Sequence, residues 1–180
     1  MKNLALAVGG TGGHIYPAVA LANCVREKYS AEAKVCIFGA SGGAEERIAS
    51  REGIDFHPVK VVRLPDNKKS PAMAKVPLAV LSSVFVAAGA LKEYKADVVM
   101  GFGGYVSFPT VAAAKLLLKL PVYLQEQNSL MGKSNRFNSR FVNAVFTSFE
   151  KTEGAPSGKC IFAGNPCRFD GAVQPGAQRA

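Results

Sequence analysis

The chain has 180 residues, 48% of them apolar, and a net charge of +9. That length and apolar fraction suit one α/β domain with a buried core and exclude an intrinsically disordered chain. The basic balance favours an anionic partner (nucleic acid, anionic lipid or a phosphorylated substrate), and the four cysteines at 24, 36, 160 and 167 form no CxxC or Cys/His cluster, which supports neither a zinc site nor a disulfide framework and leaves reduced, buried thiols as the expectation.

Residues 3–8 are apolar, short and followed at once by glycines. They predict a buried parallel strand, and the run is too short for a secretion signal. Residues 16–29 predict a helix with Pro17 in its first turn and Ala18, Leu21, Ala22 and Val25 on one face. A second strand over 34–38 ends in Gly39-Ala40-Ser41-Gly42-Gly43, a short helix over 44–52 is stopped by Gly53, and a third strand covers 56–62. Residues 64–77, rich in Lys, Pro and Asn, read as a loop or broken helix, and 78–94 as a helix with Gly89 as a weak point. A fourth strand over 97–100, a helix over 110–118, a fifth strand over 121–124, a helix over 133–141 and short strands over 144–148 and 159–162 complete the series. No run of ~18 uninterrupted apolar residues occurs, so no membrane-spanning helix is expected. Alternating strands and helices predict a Rossmann-like parallel sheet with helices on both faces, in one domain over 1–170. Residues 171–180 lack periodicity and read as a linker stub or disordered tail.

Three loops are then expected along the carboxyl edge of the sheet, where such folds bind ligands. The first is Gly9-Gly10-Thr11-Gly12-Gly13-His14, whose glycines bring backbone N–H groups and a helix N-terminus close to a phosphate or diphosphate. It is not a dinucleotide fingerprint, because position 15 is Ile and the second strand ends in Gly39-Ala40-Ser41 with no acidic residue to hold a ribose. His14 is a candidate to take a proton from an attacking hydroxyl, to contact a phosphate when charged, or simply to cap the helix. The second loop, Gly101-Phe102-Gly103-Gly104-Tyr105, repeats the strand, glycine turn, helix pattern, with tight packing as the alternative reading. The third, Gln125-Glu126-Gln127-Asn128-Ser129, offers four amide or acid groups to sugar hydroxyls, or an Asn128 cap for the next helix.

Together with the Gly164-Asn165-Pro166-Cys167-Arg168 turn, these loops resemble the MurG glycosyltransferase family. GGTGGH followed by Ile15-Tyr16-Pro17-Ala18, GFGGYVS with Pro109, and QEQN stand in the order and spacing of that family over about residues 3–170. The resemblance implies a GT-B fold, two Rossmann-like domains facing a cleft, with this chain as the N-terminal, acceptor-binding half. It implies inverting transfer of N-acetylglucosamine (GlcNAc) from UDP-GlcNAc to the muramoyl 4-hydroxyl of lipid I, the undecaprenyl-diphosphate-linked MurNAc-peptide, to give lipid II, with no metal and no other cofactor. By the same resemblance, Thr11, Gly12, Gly13, Asn128 and Arg168 contact the donor. Gly10, Gly103, Gly104, Tyr105 and Gln127 hold the acceptor, and His14 and Glu126 are the catalytic candidates, His14 as general base. Gln125 departs from the family, which usually has His there, and glutamine cannot shuttle a proton at neutral pH. The family's C-terminal domain, which grips UDP, lies beyond the point where this chain stops, so the chain alone is not expected to turn over.

Lys68, Lys69 and Lys75 surround Met73 and the apolar start of the next helix. Cations around an apolar patch suit peripheral contact with an anionic bilayer, each lysine contributing ~1 kcal/mol, and the resemblance places that bilayer at the cytoplasmic face of a bacterial plasma membrane. A non-catalytic membrane-docking subunit of a split UDP-GlcNAc transferase, like the two-chain dolichol-linked enzyme of eukaryotes, is the alternative. Nucleic acid is not an expected partner, because the aromatic residues are not interleaved with the basic ones as stacking platforms.

Overall fold

The computed structural model describes residues 2–29, 32–62 and 74–167. Seven strands pair in parallel: β1 (Lys2–Ala7), β2 (Ala33–Ala40), β3 (Asp55–Val59), β4 (Val98–Gly101), β5 (Val122–Glu126), β6 (Ala144–Thr147) and β7 (Cys160–Phe162). Their order is β3-β2-β1-β4-β5-β6-β7, so the winding direction reverses between β1 and β4. That reversal opens a crevice at the carboxyl ends of these two strands.

Side-chain alternation builds a core on each face. Ala5 and Ala7 of β1 join Cys36, Phe38, Val59 and Val99 in one core, whereas Leu6 and Val8 join Val35 and Ile37 in the other. Helices α1 (Gly12–Tyr29) and α2 (Ala44–Arg51) cover the second face through Ile15, Ala18, Val19, Ala22 and Ala49. Helices α3 (Val76–Tyr94) and α4 (Ser107–Ala112), with the π-helical turn at Ala113–Leu117, cover the first through Ala87, Leu91, Val111 and Ala113. A strand buried on both faces must be apolar throughout, which is why β1 and β2 read as continuous runs. The last helix, α5 (Lys133–Asn138), packs beside α4.

The structure departs from the sequence expectations at several places, among them the third strand, which ends at Val59, and the last helix, which ends at Asn138. α1 begins at Gly12, four residues before the predicted start, so Pro17 lies in the second turn. The glycines that open the helix carry no apolar period, and the carbonyl that Pro17 leaves without its helical donor belongs to the exposed Gly13. β5 continues through Gln125 and Glu126, which pair with Phe146 and Thr147 and are buried, so half of the expected third loop is strand. Asn128 caps no helix: α5 starts at Lys133 behind Gly132 with no side-chain cap. Of the four cysteines only Cys36 is buried; Cys24, Cys160 and Cys167 are exposed. By length and composition α3 could also cross a bilayer, yet Ser83, Val84, Ala87, Ala88, Ala90 and Leu91 bury one side of it against the domain.

Candidate functional site at the sheet reversal

The turn after β1 reaches the crevice first. Thr11 accepts at its carbonyl from the N–H groups of His14 and Ile15 (3.0 and 3.2 Å), which starts α1 and leaves the first N–H groups without helical partners. Gly12 and Gly13 are exposed and the first turn holds no acidic residue, so the positive end of an 18-residue helix faces solvent uncompensated. Gly10 has φ +93° and open space where a side chain would be.

The turn after β4 lies directly on this one. A Cβ on Gly104 (φ +76°) would fall inside the Gly9 carbonyl, and a Cβ on Gly103 would sit 3.2 Å from Cε1 of His14. The Gly104 carbonyl accepts from the hydroxyls of Ser107 and Ser134, both at 2.9 Å. Tight packing accounts for both glycines: a side chain on Gly104 would meet the Gly9 backbone, and one on Gly103 would meet the His14 ring.

β5 supplies the third side. Glu126 is 1% exposed, and its carboxylate takes four bonds. Oε1 accepts from the backbone N–H of Asn128 (3.0 Å) and from its Nδ2 (2.9 Å). Oε2 accepts from the Gly132 N–H (3.1 Å) and from Asn135 Nδ2 (3.0 Å). With both oxygens occupied, Glu126 holds the 128–132 turn and α5 against the sheet. Gln125 donates from Nε2 to Ser148 Oγ (3.1 Å) and to the Gly164 carbonyl (3.2 Å), which ties the turn preceding Arg168 to the same edge.

Gln127 fixes the protonation pattern of His14. Its Nε2 donates to the Gln125 carbonyl (3.2 Å), which can only accept, so its Oε1 is the atom 3.0 Å from His14 Nδ1. Nδ1 must therefore carry the hydrogen, and in the neutral ring Nε2 keeps a lone pair. Among the described residues nothing bonds to Nε2. A neutral imidazole oriented in this way is equipped to accept a proton.

The structure thus brings Gly10, Thr11, Gly12, Gly13, His14, Gly103, Gly104, Gln125, Glu126, Gln127 and Asn128 to one edge, with Tyr105 exposed beside them. Lys75 is exposed at the start of α3. Lys68, Lys69, Met73 and Arg168 lie outside the described residues. Sequence reasoning missed Asn135, which is buried and donates to both the Gln125 carbonyl (3.0 Å) and Glu126. The one trace it leaves is a polar residue facing inward on the 133–138 helix. No group of His, Cys, Asp and Glu that could hold a metal is found among the described residues. Away from this edge, burial and then the Asp55 charge push the Cys36 thiol up to about 12, and burial pushes the Tyr94 phenol well upward beside the start of β1.

Comparison with known proteins matches nearly the whole chain. The description "Glycosyltransferase family 28 N-terminal domain" matches residues 4–147. The chain is 40% identical over 166 residues to the UDP-N-acetylglucosamine–N-acetylmuramyl-(pentapeptide) pyrophosphoryl-undecaprenol N-acetylglucosamine transferase of Lactiplantibacillus plantarum, covering 91% of this chain and 44% of that protein. It is 41% identical over 160 residues to the protein of the same description from Halalkalibacterium halodurans, with 88% and 43% covered. The crystal structure of Acinetobacter baumannii MurG superposes with a TM-score of 0.77 at 29% identity, over 94% of this chain and 47% of that one. The chain therefore spans less than half the length of the relatives it matches.

Proposed function

The chain belongs to the glycosyltransferase family 28 N-terminal domain family, and from that premise we propose that it is the acceptor-binding half of an inverting transferase that moves GlcNAc from UDP-GlcNAc to lipid I. The observation that carries the reading is His14, set in its Nδ1–H form by Gln127 and seated between the two glycine loops. In this scheme the N-terminus of α1 and the Gly103-Gly104 turn hold the acceptor diphosphate, with Gly10 open to it and Tyr105 and Gln127 beside it. His14 Nε2 takes the proton from the acceptor 4-hydroxyl as its oxygen attacks the anomeric carbon. The bond from that carbon to the UDP oxygen breaks, and UDP leaves with the electron pair. Thr11, Gly12, Gly13, Asn128 and Arg168 meet the donor from this side, and a C-terminal domain of the kind the relatives' extra length provides grips the uridine diphosphate.

The same reading puts the domain against the cytoplasmic face of a bacterial plasma membrane. Leu78, Leu81, Phe85 and Val86 of α3 are exposed, as are Leu116 and Leu117 on the π turn that packs against it. Lys75 and Lys115 flank these apolar groups in sequence, and Lys68, Lys69 and Met73 precede them. Such a patch suits an anionic bilayer, and it also favours the second reading, a membrane-docking subunit whose catalytic partner is a separate chain.

Calorimetric titration of the chain with a soluble lipid I analogue, and separately with UDP-GlcNAc, tests the assignment. Acceptor binding with weak or no donor binding supports it. Tight UDP-GlcNAc binding without acceptor binding overturns it, and transfer by the chain alone would overturn the need for a second domain.

A further inference from the structure

Beside the glycine loops lies an apolar cavity of about 310 Å³ between α3, α4 and α5. Val62, Val80, Phe108, Pro109 and Phe137 line it, and Tyr105 forms the wall nearest Gly104. Its hydroxyl-bearing walls are already satisfied: Ser83 Oγ donates to the Val80 carbonyl (2.7 Å) and Ser134 Oγ to the Gly104 carbonyl (2.9 Å). The cavity therefore offers hydrocarbon and aromatic surface, with one cation, Lys133, in its lining. Tyr105 and Phe137 in its lining remain 56% and 51% exposed.

Three relations fix the occupant's chemistry. The cavity touches the proposed diphosphate site, because Ser134 in its wall is bonded to Gly104, and Gly104 packs on Gly9 at the start of the α1 turn. Lys133 complements an anion held at that junction. At the other side Val80 belongs to the helix that also carries the exposed Leu78 and Leu81. A ligand suited to all three has a diphosphate head, an apolar chain attached to it and a tail leaving toward lipid. At ~30 Å³ per water-sized group the cavity holds about ten non-hydrogen atoms, which is two isoprene units.

Resting on the acceptor reading above, we propose that this cavity binds the first two isoprene units of a polyprenyl diphosphate, so that the chain measures the lipid next to its diphosphate as well as the head group. The test is calorimetric titration of the full chain with inorganic diphosphate and with monomeric prenyl diphosphates of one, two and three isoprene units. Affinity should rise at least tenfold from one unit to two and less than threefold from two to three. Phe137→Glu and Val80→Glu should each remove that step while leaving inorganic diphosphate binding unchanged, which also verifies folding. Affinity independent of chain length, with inorganic diphosphate still bound, overturns the cavity assignment and leaves the acceptor reading standing. A chain-length step abolished by both variants in a protein that ignores inorganic diphosphate supports the cavity and overturns the diphosphate site. No binding of any of these ligands overturns both. A dimer that Phe137→Glu dissociates, without any chain-length step, makes a second copy the occupant and sinks the proposal.

Discussion

Gly104 and Gly10 look alike in sequence, and the structure separates them. Gly104→Ala places a Cβ inside the Gly9 carbonyl, a backbone atom that no rotamer change can move, at φ +76°. The left-handed conformation costs an L-residue about 1 kcal/mol, and forcing a methyl into packed backbone adds about 1–3 kcal/mol. A loss of about 2–4 kcal/mol in unfolding free energy is expected. Gly10→Ala has φ +93° but nothing within 4 Å of the new Cβ, so only the conformational cost of about 1 kcal/mol applies. Urea unfolding followed by circular dichroism reads both values, with equal slopes showing that the transition is unchanged in kind. Diphosphate titration should show the reverse ranking: Gly10→Ala weakens anion binding more than its small stability loss explains, because its methyl projects into the open space. Equal stability losses for the two variants would refute the division into packing and ligand-facing glycines.

Three further outcomes follow from particular contacts. Glu126→Gln removes a negative charge from four donors and turns an amide NH2 toward the two that shared one oxygen (Gly132 N–H and Asn135 Nδ2, or both Asn128 donors), so it should lower stability by about 2 kcal/mol in the same assay; full stability would show that these bonds do not hold the turn. Nitrogen NMR of His14 near neutral pH should show hydrogen on Nδ1 in the unprotonated ring, and Gln127→Ala should shift the population toward the other tautomer; an Nε2–H majority in the unmutated chain contradicts the hydrogen-bond assignment. The Cys36 thiol is raised from 9.0 to about 12 in the fold, so its contribution is fully present below pH 9 and is lost as pH climbs toward 12. Integrated over that window the contribution is about 4 kcal/mol, and Tyr94 acts in the same direction. Alkaline unfolding that is just as steep in Cys36→Ala would show the thiol takes no part in it.

What could be read in the sequence was whatever local chemistry decides. The strands of β1 and β2 were legible because burial on both faces leaves an uninterrupted apolar run, and α2 because Gly53 stops it. The start of α1 was hidden, since Gly12 and Gly13 contribute no apolar period although they form its first turn. The end of β5 was hidden for the opposite reason: Gln125 and Glu126 are polar, and hydrogen bonds to Ser148 and Gly164 for the one and to Asn128, Gly132 and Asn135 for the other make burial tolerable. The loops could be placed on one edge from strand–helix alternation alone. That Gly103 would touch His14, or that Gln127 would reach it across 113 residues, depends on the order of strands in the sheet, which no local pattern encodes.

Gln125 is the departure from the family pattern that the structure makes testable. Its single Nε2 reaches two acceptors, Ser148 Oγ at 3.1 Å and the Gly164 carbonyl at 3.2 Å, because an amide nitrogen carries two hydrogens. A neutral histidine carries one N–H. In Gln125→His the ring can donate to Gly164 or to Ser148 but not to both from one nitrogen, and Ser148 can compensate because its hydroxyl already donates to the Glu126 carbonyl (2.9 Å) and retains lone pairs for water. The substitution should therefore cost about 1 kcal/mol or less and keep the 164–167 turn in place. Gln125→Leu fills the same space without a donor; it leaves the Gly164 carbonyl unbonded and should cost about 2 kcal/mol while loosening that turn. Hydrogen exchange at residues 163–167 reads the difference directly. If the leucine variant protects that turn as well as the histidine variant does, the residue at 125 has no part in holding it, and the family's histidine must be there for another reason.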